Sequence, residues 1–182
     1  MKKTFFKKYD AKFWLILLAE IAIAFGIFLA LSAWQTRNML ADEEQVPVLT
    51  APTISGSMAR FPDLTTDRHS LVYFFAPWCT VCHLSIENLN YVQAQNPELN
   101  ILIVALDYQS VAEVEEFLSE HSLDYPVLLG DRRWSSAYKV TAFPSYYVID
   151  SGGRVVSRSM GYSTMLGMMA RVAQVEDLQR QE

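Results

Sequence analysis

The longest unbroken feature of the hydrophobic pattern is a run from Phe13 to Trp34, interrupted only by Glu20 and a few small or polar residues. As a helix it rises about 33 Å, enough to cross the hydrocarbon core of a bilayer. A membrane span is therefore expected over 13–34. A cleaved signal peptide competes, with Ala30-Leu31-Ser32 as its cleavage site, but the apolar region of such a peptide is ordinarily only about 7 to 15 residues long. Glu20 is costly in hydrocarbon and marks either a partner helix or an acid tolerated near one leaflet.

After the span the pattern changes character. Residues 35–50 are polar and acidic without strong periodicity and read as a linker. From Ala51 to Ser70 short apolar pieces alternate with Pro, Gly and Ser, the composition of a small hairpin or irregular lead-in. Leu71 to Phe75 (LVYFF) is a continuous run of branched and aromatic residues between Ser70 and Pro77, as in a strand buried on both faces. From Val81 to about Ala94 the positions of Leu84, Leu89 and Val92 suit one helix. Ile101 to Leu106 predicts a second buried strand. Ser110-Val111-Ala112-Glu113 fits a capping box opening a helix with the stripe Val111, Val114, Phe117, Leu118 and His121. Pro126 to Leu129 is a third core run, followed by a short helical piece around Trp134 to Tyr138. Ser145 to Ile149 and Arg154 to Ser157 flank the turn Ser151-Gly152-Gly153 as a hairpin, and Thr164 to Leu178 closes the chain as an amphipathic helix. This order predicts an α/β fold, a mixed β-sheet flanked by helices on both sides, over 51–182.

Composition and charge narrow the picture. The chain has 182 residues, 51% of them hydrophobic, which is material for one compact domain once the terminal run is set aside. Lys2, Lys3, Lys7, Lys8 and Lys12 precede the span, whereas Arg37 and then Asp42, Glu43 and Glu44 follow it. The lysine-rich tail, 1–12, should stay cytoplasmic and everything after the span should be exported, with Trp14 and Trp34 at the two membrane interfaces. Residues 35–182 carry ten Lys or Arg against eighteen Asp or Glu, without a basic stripe, so nucleic acid is not an expected partner.

The two cysteines stand together in FFAPWCTVCH, residues 74–83, a spelling with two incompatible readings. Cys79-Thr80-Val81-Cys82 has the spacing of a redox-active dithiol, and with His83 it also matches the C-x-x-C-H pattern of c-type haem attachment. A bridge across three residues closes too small a loop to serve as a structural staple, which favours a chemical use. The order of elements is also unlike that of small helical haem carriers. The pair falls at a strand-to-helix junction, where the Cys79 thiolate would be stabilised by unpaired backbone N–H groups and the helix dipole. Cys79 is then the nucleophile and Cys82, one turn on, the resolving thiol. His83 follows Cys79 by four residues, either tuning it from the same helix face or simply exposed. His69 and His121 show no partner that would suggest a metal site, and none is expected.

Trp78-Cys79-Thr80-Val81-Cys82 after a buried strand, with Phe143-Pro144 before a later one, resembles the thioredoxin fold. More narrowly it resembles the membrane-anchored, exported TlpA-like branch with its ResA, DsbE and ScsD types, from about Ala51 to the C-terminus. The extra helix before the Pro126 strand, the stretch Asp131 to Val140 and the Tyr147 to Gly153 strand and turn support it. The resemblance implies a cis Phe143–Pro144 bond beside the dithiol, with Phe143 and Pro144 docking an extended substrate, Trp78 shielding one side of the pair, and Thr80 and Val81 tuning its potential. It further implies reduction of disulfides in other exported proteins, for example apocytochromes in cytochrome c assembly, in the periplasm or another extracytoplasmic space. Electrons would come from a membrane thiol-disulfide donor and no organic cofactor would be needed. An oxidase or isomerase, a haem-binding electron carrier and a redox-silent module that keeps only the fold are the alternatives. One departure stands out: where thioredoxin has a buried acid six positions before the nucleophile, this chain has Tyr73, and the nearest acid, Glu87, is expected in solvent on the following helix.

Overall fold

The computed structural model describes residues 11–62 and 68–179, so the tail expected over 1–12 lies outside the described residues except for its last two. The apolar run forms one helix, α1 (Ala11–Thr36). Its Lys12–Thr36 portion is long and apolar enough to cross a membrane, with a mean hydropathy of 2.5 over an 18-residue window. Nearly all its side chains are exposed, and the Arg37 guanidinium lies 5.0 Å over the Trp34 ring.

The chain from Asn38 onward forms a separate unit. It begins with a hairpin of β1 (Leu49–Pro52) and β2 (Met58–Phe61) and continues through β3 (Ser70–Phe75), α2 (Thr80–Ser85), α3 (Asn88–Gln95), β4 (Asn100–Ala105) and α4 (Val111–Ser119). Then follow β5 (Val127–Leu129), α5 (Arg132–Ala137), β6 (Ser145–Ile149), β7 (Val155–Met160) and α6 (Met165–Gln179). Five strands make a mixed sheet in the order β5-β4-β3-β6-β7, parallel from β5 to β3 and antiparallel from β3 to β7. The LVYFF run is the central strand, buried at every position. Side chains alternate along it, so Leu71, Tyr73 and Phe75 enter one core while Val72 and Phe74 enter another across the sheet.

Two expectations are corrected. The single helix read from Val81 to Ala94 is two helices, because Leu89 N–H and Asn90 N–H donate three residues back, to Ile86 and Glu87, and tighten the join. Ser85 adds to the break by donating its hydroxyl to the Val81 carbonyl at 2.9 Å. The stretch read as a linker, in turn, is packed into the domain from Asn38 onward. Met39, Leu40 and Val46 are buried, Glu43 and Val46 donate backbone bonds to Val155 and Gly153, and Tyr138 donates its hydroxyl to Pro47 O at 2.9 Å. Arg158 donates to Leu40 O and to the Asp42 carboxylate. The acidic residues face solvent and hide a sparse set of apolar anchors that has no helical or strand period.

The capping box at α4 forms with one variation: Ser110 Oγ accepts from Glu113 N–H at 3.3 Å, while the Glu113 carboxylate accepts from Gln109 N–H, one residue earlier than the standard reciprocal bond. At the end of β5 a Cβ on Gly130 would sit 2.7 Å from Leu106 Cδ2 and 2.8 Å from Val104 Cγ1, so the strand requires glycine there. Asp131 then caps α5 through Arg133 N–H at 2.9 Å.

Candidate active site

The central strand delivers the cysteines to the end of the sheet. After β3, Cys79 N–H donates to Ala76 O at 3.0 Å, and Cys79 takes the extended backbone of an N-cap ahead of α2. Its sulfur accepts from Cys82 N–H at 3.1 Å and is joined to the Cys82 sulfur in a disulfide. Cys79 is 5% exposed and Cys82 is fully buried, so a second molecule reaches the sulfur of Cys79 first. The amide aimed at that sulfur, together with the helix start, stabilises negative charge on it once the bridge opens.

The neighbours expected from the sequence are mostly brought together. Trp78 is well exposed, donates its indole N–H to Asp107 O at 3.0 Å and meets the Phe143 ring edge-to-face at 5.9 Å. The Phe143–Pro144 bond is cis, and Ser145 pairs with Phe74, which places Pro144 at the same end of the sheet as the cysteines. Gly161 N–H donates to Pro144 O at 2.8 Å and brings exposed Tyr162 beside this end. A cleft of about 510 Å³ opens past Phe143, lined by Asp107, Tyr108, Asp131, Arg132 and Thr141 among others. Thr80 and Val81 occupy the first turn of α2 and are exposed.

Tyr73 stands on the central strand six positions before Cys79, buried beside α2. Its hydroxyl lies 2.8 Å from Ser85 Oγ, and its ring stacks with Tyr146 at 6.4 Å. Burial pushes the phenol far above its usual range, with the Ser85 bond opposing it, so Tyr73 is a neutral hydrogen-bonding group and not a carboxylate substitute. Nothing in the sequence marks Ser85, since a serine inside a helix carries no pattern of its own.

The histidines depart most from expectation. His83 is not simply exposed: its Nε2 lies 3.2 Å from Pro77 O, its Nδ1 lies 3.0 Å from His121 Nε2, and its ring packs against Phe117 at 4.3 Å. His121, for which the sequence shows no partner that would suggest a metal site, sits in the middle of a cluster, with Nδ1 3.2 Å from Glu87 Oε1. Glu87 is exposed as expected, yet it is engaged with that imidazole. Glu120 approaches His83 Nδ1 at 3.4 Å. Only the adjacency of Glu120 and His121 just after α4 hinted at this cluster. His69 Nδ1 is buried without a hydrogen-bond partner among the described residues.

Comparison with known proteins agrees with this geometry. The AhpC/TSA family model matches residues 43–158. Among curated relatives, the thiol-disulfide oxidoreductase ResA of Bacillus thuringiensis is 23% identical over 160 residues, 87% of this chain and 92% of that protein. The thioredoxin-like protein YneN of Bacillus subtilis is 22% identical over 129 residues, 69% of this chain and 75% of that one. Among solved structures, MTB dsbF superposes with a TM-score of 0.65 at 24% identity, over 71% of this chain and 98% of that one. A thiol:disulfide interchange protein of Chlorobium tepidum superposes with a TM-score of 0.64 at 21% identity, over 74% and 97%. The chain thus belongs to the AhpC/TSA family, with a thioredoxin-like fold and, in Cys79–Cys82, the C-x-x-C pair of a thiol-disulfide oxidoreductase.

Proposed function

We propose that this chain is a membrane-anchored thiol-disulfide oxidoreductase that reduces disulfides of other exported proteins. The observation that carries the reading is the asymmetry of the pair: Cys79 keeps a narrow 5% opening to solvent beside the Trp78–Phe143 aromatic pair, whereas Cys82, one turn along α2, is fully buried. In the reduced state the Cys79 thiolate attacks one sulfur of a substrate disulfide and releases the other as a thiolate. Cys82 then attacks Cys79 Sγ, frees the second substrate thiol and restores the Cys79–Cys82 bridge. Two electrons pass to the substrate from sulfur to sulfur, so the exchange needs no organic cofactor. A dithiol of a membrane donor returns the pair to its reduced form.

Exposed Trp78, Val81, Leu84 and Tyr162 offer an apolar surface suited to an unfolded or extended polypeptide. Phe143 and Pro144, at the strand end beside it, supply the docking edge. The five lysines before the apolar run from Phe13 support a cytoplasmic N-terminus and a domain on the far side of the cytoplasmic membrane, the periplasmic or extracellular face. Reduction as the net direction is what the TlpA-like resemblance implies.

The test is a Cys82→Ser variant of the full chain in its native host. It should accumulate mixed disulfides on Cys79 that dithiothreitol dissolves and that vanish when Cys79 is also changed to Ser. Thiol alkylation of the wild-type chain should find the pair mostly reduced in cells. Failure to trap any protein would overturn the oxidoreductase reading, and a pair held oxidised would reverse the direction.

A further inference from the structure

Three donor atoms from α2 and from the segment just beyond α4 converge one residue after Cys82. His83 Nδ1 is 3.0 Å from His121 Nε2 and 3.4 Å from Glu120 Oε2, and the three ligand atoms all lie within 4.8 Å of one another. The remaining ring nitrogens fix which tautomers face inward. His83 Nε2 meets the Pro77 carbonyl and His121 Nδ1 meets the Glu87 carboxylate, both acceptors only, so those nitrogens carry the hydrogens. In the neutral tautomers of both rings, His83 Nδ1 and His121 Nε2 then present lone pairs to each other, with the Glu120 carboxylate alongside.

Two lone pairs and an anion at this separation repel one another unless a cation lies among them. A proton serves one pair, whereas a divalent ion serves all three atoms. Ligands of a tetrahedral zinc ion, at about 2.0–2.1 Å from the metal, stand about 3.3 Å apart, close to the 3.0 and 3.4 Å that separate His83 Nδ1 from the other two donors. A carboxylate or carbonyl on the far nitrogen is also the arrangement that orients metal-binding imidazoles. Phe117 packs against both rings, at 4.3 Å from His83 and 4.8 Å from His121, and the His121 side chain is only 8% exposed, so the two imidazoles are held before any ion arrives and the exposed Glu120 carboxylate closes on it from solvent.

We propose that His83, His121 and Glu120 form a binding site for a divalent transition-metal ion, Zn²⁺ in the first instance, independent of the cysteine sulfurs. Two imidazoles and one carboxylate select such an ion over Mg²⁺ or Ca²⁺, which favour all-oxygen shells. His83 and Glu120 also line a cleft of about 320 Å³ with Trp78, Glu113 and Glu116, which gives the ion a route from solvent and leaves room for water as a fourth ligand. An ion there ties α2 to the end of α4, beside the dithiol and without consuming it.

The test uses the full chain in detergent with its disulfide intact, titrated with ZnCl₂ by calorimetry and with Co²⁺ by visible absorption. The expected result is one ion per chain and a Co²⁺ ligand-field band without thiolate charge-transfer absorption. Affinity should fall about 100-fold or more in His121→Ala and at least about 10-fold in Glu120→Gln and Glu87→Gln. Glu120 and Glu87 are exposed, so their variants keep the test decisive should His121→Ala fail to fold. The proposal is overturned by the absence of binding in the oxidised wild type or by affinity unchanged in all three variants. Binding that appears only on reduction and disappears in Cys79→Ser/Cys82→Ser would overturn it as well, because the sulfurs would then be the ligands.

Discussion

The two faces of the central sheet are made by neighbouring residues of the same strands, yet they are finished in different ways. On the face of Leu71, Tyr73 and Phe75 the core is closed by α2, α3, α4 and α6 and contains both cysteines. On the face of Val72 and Phe74 it is closed by α5, by the β1–β2 hairpin and by the strap of Met39, Leu40 and Val46. Two tyrosines show the contrast most directly. Tyr73, on the redox face, pairs its hydroxyl with another side chain, Ser85. Tyr147, on the opposite face, donates to the Tyr138 carbonyl at 2.6 Å and accepts from Leu40 N–H at 3.1 Å, so one phenol satisfies two backbone groups far apart in sequence. Chemistry sits where polar groups pair among side chains, and the opposite face is the one that fastens the chain to itself.

If that division holds, damage to the strap face should cost stability without touching exchange. Trp134 is 1% exposed and stacks on Tyr138 at 5.6 Å, so Trp134→Ala should destabilise the domain by about 3–5 kcal/mol in denaturant unfolding. The rate of disulfide exchange per folded molecule should stay at the wild-type value. A dithiol potential that moved together with stability in this variant would break the comparison.

Tyr147→Phe should rank second. It strands a buried backbone donor and a buried backbone acceptor together, for a loss of about 2–3 kcal/mol. The same residue sets an alkaline limit. Burial pushes its phenol from near 10 up to about 12, against the opposing bond from Leu40 and the nearby Arg158 charge. Because the folded value is raised, the contribution of the neutral phenol is complete below pH 10 and is lost as pH climbs through 12. Stability should decline across that window, and the variant should decline less steeply, by up to about 1.4 kcal/mol per pH unit. Unfolding curves at stepped alkaline pH check this.

What could be read from the sequence follows the same division. The redox face was legible because its signals are local: LVYFF is a continuous run, Cys79 and Cys82 are three residues apart, and Ser110 with Glu113 announces its helix. The mixed sheet came from the order of elements and the cis Phe143–Pro144 bond from the resemblance, and both are present in the structure; the strand order itself was not read. The strap was not legible, because Met39, Leu40 and Val46 are separated by Asp42, Glu43 and Glu44 and have no period to betray them. The His83–His121 contact was equally hidden, since it joins residues thirty-eight apart through the packing of α4 beside α2. Tyr73 was flagged as a departure, but its partner Ser85 becomes visible only when β3 and α2 lie side by side.

The smallest effect expected is also the sharpest test of the contrast, because it applies the same change to the other face. Tyr73→Phe removes one hydroxyl from a pair whose remaining member, Ser85, still donates to Val81 O at 2.9 Å. No backbone group is stranded, so the loss should be only about 0.5–1.5 kcal/mol, roughly that of a single hydrogen bond. Measured beside Tyr147→Phe in the same denaturant series, it should be clearly the milder of the two in both the oxidised and the reduced protein. Equal losses would mean that the Tyr73–Ser85 pair fastens the chain as firmly as the strap does, and the two faces would no longer be distinguishable by what their polar groups hold.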